Sequence, residues 1–107
     1  MSGISIHDGH RERLRNRFLG HGLDSFEEHE ALELLLFYAL PRRDTNALAH
    51  ELLDRFGSLR NVFDADPADL AQTAGIGESA AVLIKLQSEL ARKYWLKDME
   101  EQAALSS

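Results

Sequence analysis

Three groups of residues in this chain have types and spacings that chemistry could use. His7 and His10 in "HDGH" stand one helical turn apart, the spacing of a metal-binding pair. No third strong ligand lies near them, so a solvated helix start is the plainer reading. Ser, His and Asp are all present, yet their spacing assembles no nucleophile, base and orienting group, and we expect a non-catalytic chain. The third group is "TAGIGESAA", Thr73 to Ala81, where two of the seven glycines flank Ile76 between helical patterns. A helix that begins at such a turn has first N–H groups without intrahelical partners, at the positive end of its dipole. With no side chains on Gly75 and Gly77, a phosphate oxygen can approach the amides of Gly75, Ile76, Gly77, Glu78 and Ser79. Such contacts position nucleic acid without reading its bases.

Positive charge for that chemistry is unevenly placed. The net charge is −6, against the usual basic balance of a nucleic-acid-binding domain. "RERLRNR" nevertheless holds Arg11, Arg13, Arg15 and Arg17 against one Glu12. Its arginines form two ridges at i,i+4 spacing, with Leu14 and Phe18 as an apolar anchor. Arg42 and Arg43 punctuate "LPRRDTN", and Lys85 follows the glycine turn. The basic helix reads either as a supplementary phosphate clamp, or as a solubilising face that pairs with the acids of Asp64 to Asp69. Two features oppose phosphate binding at the glycine turn. Glu78 and Ser79 stand where such turns often carry lysine or arginine, and Ala74 replaces the usual proline.

A length of 107 residues and 44% hydrophobic content suit one small domain with a modest core. The longest apolar run, Leu34 to Leu40, is too short to span a bilayer. Cysteine is absent, which excludes disulfides and thiolate metal sites and is compatible with the cytoplasm.

The elements that must position these residues are helical, because no stretch alternates with period two. Asp8 is placed to cap a first helix that "GHG" ends after about Leu19. Ser25 and Glu28 form a capping-box pattern for a second helix reaching about Ala39, whose final two turns are apolar nearly all round, which makes it the most buried. His29 and His50 sit in helices among charged neighbours and need no special role. Asp44 or Thr45 caps a third helix with Leu48, Leu52, Leu53 and Phe56 inward, ended by Gly57. Ser58 opens a short turn of helix, and Asp66-Pro67 starts another. A long last helix carries Ala80, Leu83, Ile84, Gln87, Leu90, Ala91 and Tyr94 at helical spacing, and "EEQAALSS" reads as a fraying tail. The expectation is an all-α domain of five or six helices over residues 9–97, with a flexible start over 1–8 and an acidic, flexible tail over 98–107.

Two short helices around Gly-Ile-Gly make a helix-hairpin-helix, with Leu70, Ile76, Ala81, Leu83, Ile84 and Leu86 as its apolar contacts. "FYALPRRDTNALAHELL" repeats its layout, with Ala47 in the place of Ala81, as a degenerate first hairpin. Together these stretches closely resemble the N-terminal helical domain of the bacterial RadC family of DNA-repair proteins. "GHRERLRNRF" also matches, and "LLFYALPRRDTNALA" is the part that points to RadC itself. The resemblance implies a double helix-hairpin-helix fold and DNA-backbone binding, with, in some superfamily members, a monovalent cation on hairpin carbonyls. It further implies that the domain precedes a JAB/MPN domain with a zinc site, for which this sequence has no His-x-His. Two functions follow as expectations: a weak, non-sequence-specific DNA-binding module, or a protein-interaction module with purely structural hairpins. Tyr94, Trp95 and Leu96 cannot all face one small core, so they offer a contact for a JAB/MPN-like domain or a second copy.

Overall fold

The computed structural model describes residues 6–106, with side chains from Asp8 onward. All regular structure among them is helical: α1 (Ile6–His21), α2 (Glu28–Phe37), α3 (Thr45–Phe56), α4 (Leu59–Asp64), α5 (Pro67–Ala71) and α6 (Gly77–Ser106). No helix among the described residues is long and apolar enough to cross a membrane.

Most boundaries follow from caps within one turn. Asp44 Oδ1 accepts from the Ala47 N–H at 3.2 Å, Ser58 Oγ from Asn61 at 3.0 Å, and Asp66 Oδ1 from Ala68 at 2.9 Å with Pro67 next in line. Gly57 closes α3 with φ +97°. Three boundaries differ from the sequence expectation. Asp8 lies inside the first turn of α1 rather than capping it, and α1 runs on through Gly20 to His21. The capping box of α2 is formed by Glu27 and Glu30 instead of Ser25 and Glu28. The Glu30 carboxylate accepts from the Glu27 N–H at 2.9 Å, while the Ser25 carbonyl is engaged by Arg17 at 2.9 Å. The third difference is at the C-terminus: α6 continues through the acidic stretch to Ser106.

Helix α2 is central. Leu32 and Leu36 face α3, α4 and α6 in a core shared with Leu48, Ala49, Leu52, Val62, Leu70, Ile76, Ala80, Ala81 and Ile84. On its other side Leu34 and Phe37 pack with Leu14 of α1. Burial of apolar surface on both sides of one helix joins the two clusters and supplies most of the driving force. The body ends before α6 does. At 30 residues and about 1.5 Å per residue, α6 is about 45 Å long, and the molecule measures 64 × 34 × 21 Å. Beyond Leu90 its large apolar side chains are exposed, Tyr94 at 76%, Trp95 at 64% and Leu96 at 50%.

Candidate nucleic-acid interface

The turn between α5 and α6 needs both of its glycines. Gly75 has φ +88° and Gly77 φ +67°, the left-handed region that L side chains rarely adopt. Between them Ile76 is buried against Leu70, Ala81 and Ile84, and its N–H donates to the Thr73 carbonyl at 3.0 Å. The two glycines have different surroundings. A Cβ on Gly77 would meet no atom within 4 Å, so the first turn of α6, with exposed Glu78 and Ser79, is open to solvent. A Cβ on Gly75 would lie 2.9 Å from Leu48 Cδ2 and 3.7 Å from Arg43 Nη1. The second distance brings the turn between α2 and α3 to the turn between α5 and α6.

That juxtaposition has a repeat behind it. Apart from Thr45, the buried positions of α3 are Leu48, Ala49 and Leu52, and those of α6 are Ala80, Ala81 and Ile84, an offset of 32 residues at each of the three. Ala49, not the exposed Ala47, is therefore the counterpart of Ala81, and Arg43 is the counterpart of Gly75. Leu83 is half-buried, whereas Leu86 faces solvent.

The predicted basic residues differ in their surroundings. Arg13 and Arg43 line one polar cavity of about 300 Å³ between α1 and the start of α3, together with Arg11, His10, Glu33 and Asn46. Arg42 and Arg15 are exposed. Arg11 and Arg17 are spoken for. The Arg11 guanidinium donates to the carbonyls of Pro41 (2.6 Å), Leu40 (3.1 Å) and Arg43 (2.6 Å), and it is 8% exposed. Arg17 forms a two-pronged pair with Glu30, each bond 3.0 Å, and lies over the Phe26 ring at 4.2 Å. Hydrogen bonding from Arg17, and then from the Glu27 N–H, lowers the Glu30 pKa to about 2; Glu30 in turn raises that of Arg17. The partner of Arg17 is thus Glu30, not the acids of Asp64 to Asp69. Lys85 is half-buried and lines a different cleft, with Arg60, Asp64 and Trp95.

Three roles escaped the sequence reading. Glu33, 2% exposed, accepts from Asn46 Nδ2 at 3.2 Å and meets His10 Nε2 at 2.8 Å, so His10 is tied to a buried carboxylate while its ring stays partly open to solvent. His7 lies outside the described side chains. Arg55 Nη1 reaches the buried Thr73 Oγ1 at 2.5 Å and the Asp69 carbonyl at 3.0 Å, which braces the glycine turn from α3. Arg11 is the third, and its signal was available: Arg11, Leu14 and Phe18 share the i, i+3, i+7 stripe that α1 presents to α2. The rings of His29 and His50 stack at 4.3 Å between α2 and α3. No group of three or more His, Asp or Glu is arranged to hold a metal among the described residues.

Comparison with known proteins sets this geometry in a family. Residues 7–82 match the family described as UPF0758 N-terminal. A UPF0758 protein of Fusobacterium nucleatum is 49% identical over 82 residues, covering 77% of this chain and 35% of the relative. One from Rhodobacter capsulatus is 40% identical over 94 residues, 88% of this chain and 44% of the relative. A third, from Ruegeria pomeroyi, is 36% identical over 98 residues, again covering 44% of the relative. The chain therefore spans less than half the length of these relatives. No solved structure matches it. The chain belongs to UPF0758, the RadC-like family that its sequence resembles, and the match lies in the family's N-terminal region.

Proposed function

We propose that this chain is a non-catalytic helix-hairpin-helix module that binds DNA through its phosphate backbone, without reading sequence, in a protein associated with DNA repair. The observation that carries the reading is the approach of Arg43 Nη1 to within 3.7 Å of the Cβ position of Gly75. It sets a guanidinium beside a turn whose amides open a helix. A phosphate at that point meets backbone N–H groups and a bidentate donor together, the combination that oxyanions favour. Arg13, in the same cavity as Arg43, extends the charge toward α1. Glu78 acts against it, so the affinity is weak and the contact draws on Arg42 and Arg43 of the turn between α2 and α3 to offset that acid.

Fluorescence anisotropy of labelled single-stranded, duplex and branched DNA across a salt series tests the proposal. Affinity on duplex should fall with salt at a slope of about −0.9 per neutralised phosphate, and Arg42→Glu/Arg43→Glu should flatten it. Absence of binding at low salt and high protein concentration would refute it for this chain.

A second reading draws support from a separate feature, the bare apolar face of α6 with Tyr94, Trp95, Leu96 and Met99. On that reading the module docks on a JAB/MPN metalloprotease-like domain or a second copy and the hairpins are architecture. Binding to such a domain that survives Arg42→Glu/Arg43→Glu but is lost in Tyr94→Ala/Trp95→Ala would favour it.

A further inference from the structure

The turn joining α2 to α3 closes around a positive charge supplied from elsewhere in the chain. After α2 the chain directs the carbonyls of Leu40, Pro41 and Arg43 toward one point, and Arg11 Nη1 and Nη2 occupy it with three bonds of 2.6–3.1 Å. The Leu40 carbonyl also accepts from the Arg43 N–H at 3.2 Å, so the turn and the guanidinium share an acceptor. The carbon of the guanidinium lies 4.7 Å from the centroid of the Phe37 ring, whose face favours a cation. Three carbonyl dipoles pointing at one place repel one another unless a donor-rich cation stands between them, and a guanidinium has donors only.

We propose that Arg11 is a positioning residue for the phosphate interface: its guanidinium is the cation around which the Leu40–Arg43 turn closes, and it thereby sets the Arg43 side chain against Gly75. The link to DNA rests on the function proposed above; the closing of the turn does not. Arg11 makes no phosphate contact on this account, because its donors face inward, and in this it differs from Arg13 and Arg43.

Arg11→Ala tests the assignment in two independent ways. In the free protein, the backbone amide resonances of Arg43 and Gly75 should shift in the variant. They should return toward wild-type positions on addition of tens of millimolar guanidinium chloride, with sodium chloride at equal ionic strength as the control. In DNA titrations the variant should bind about tenfold more weakly at fixed salt with a slope smaller by about 1, for the lost Arg43 contact. Guanidinium should restore part of that affinity, and Arg11→Lys should fall between the two. Unchanged resonances, affinity and slope in Arg11→Ala would overturn the proposal. If wild-type protein binds no DNA while the resonances still respond as expected, the phosphate reading fails and the turn-closing role stands. Should Arg11→Ala not fold, the wild type still decides. Arg11 guanidinium protons protected from solvent exchange relative to those of Arg13 and Arg15 support the assignment, and equal exchange overturns it.

Discussion

Gly75→Ala and Gly77→Ala separate two reasons for a glycine at one turn. Both positions have positive φ, +88° and +67°, and holding an L residue there costs about 1–2 kcal/mol. Alanine recovers about 0.4–1 kcal/mol by restricting the unfolded chain. Gly77→Ala adds its methyl to open space, so its net loss should be about 1 kcal/mol. Gly75→Ala also brings its methyl to 2.9 Å from Leu48 Cδ2, closer than such atoms settle. Leu48 must turn or shift within the core, which adds about 1 kcal/mol or more and brings the total to about 2–3 kcal/mol. For a domain of this size each kcal/mol lowers Tm by about 4–8 °C. Thermal and urea denaturation followed by far-UV circular dichroism should therefore rank wild type above Gly77→Ala, and Gly77→Ala above Gly75→Ala. The crowding term has its own check. In Leu48→Ala the crowding atom is gone, so adding Gly75→Ala there should cost at least about 0.5 kcal/mol less than in wild type. Equal losses at the two glycines, or strict additivity with Leu48→Ala, would refute the reasoning from contact at Gly75.

Other consequences follow from single groups. The Glu30 carboxylate, held at a pKa of about 2, contributes stability that is complete above its ordinary value near 4.5 and is lost as pH falls between the two. Urea midpoints should show wild type losing about 1 kcal/mol more than Glu30→Gln over that window, the scale of a partly exposed pair, and parallel pH profiles would argue against it. Arg55→Met removes the brace on Thr73 and the Asp69 carbonyl. It should cost about 1–2 kcal/mol and speed hydrogen exchange at the Ile76 amide, whose acceptor is the Thr73 carbonyl. Unaltered exchange at Ile76 would show that the turn holds itself. Gln87 Oε1 is buried, with no hydrogen-bond partner among the described residues, in the groove formed with Phe18, Leu34, Leu35 and Phe63. Gln87→Met should leave shape nearly unchanged and raise stability by about 1 kcal/mol in urea titration; a loss would mean that the amide is satisfied in solution.

What the amino-acid sequence settles by itself is whatever one or two helical turns decide. Asp44, Ser58 and Asp66 cap their helices, and Gly57 and the Gly75–Gly77 turn break them, because each acts on backbone groups two to four residues away. The all-α class and the central place of α2 follow in the same way from periodicity, since a helix apolar on most sides has to be surrounded. The extension of α6 to Ser106 was within reach of the same reasoning, since Glu, Gln, Ala and Leu after Lys97 are good helix formers.

Tertiary structure decided which charges remain free. Four arginines on α1 look equivalent in sequence, yet packing of α1 on α2 carries Arg11 into the Leu40–Arg43 turn and Arg17 onto Glu30. Arg13 and Arg15 are left outside. The displaced capping box has the same origin, because the Arg17 guanidinium that reaches Glu30 also engages the Ser25 carbonyl. Arg43 and Gly75 stand 32 residues apart, and no local rule relates them; the repeated burial pattern of α3 and α6 in one core brings their turns together. Helix boundaries depend on short-range hydrogen bonds and can be read along the chain. The ownership of a guanidinium depends on which carbonyls the folded core delivers to it, and that is known only once distant helices have packed.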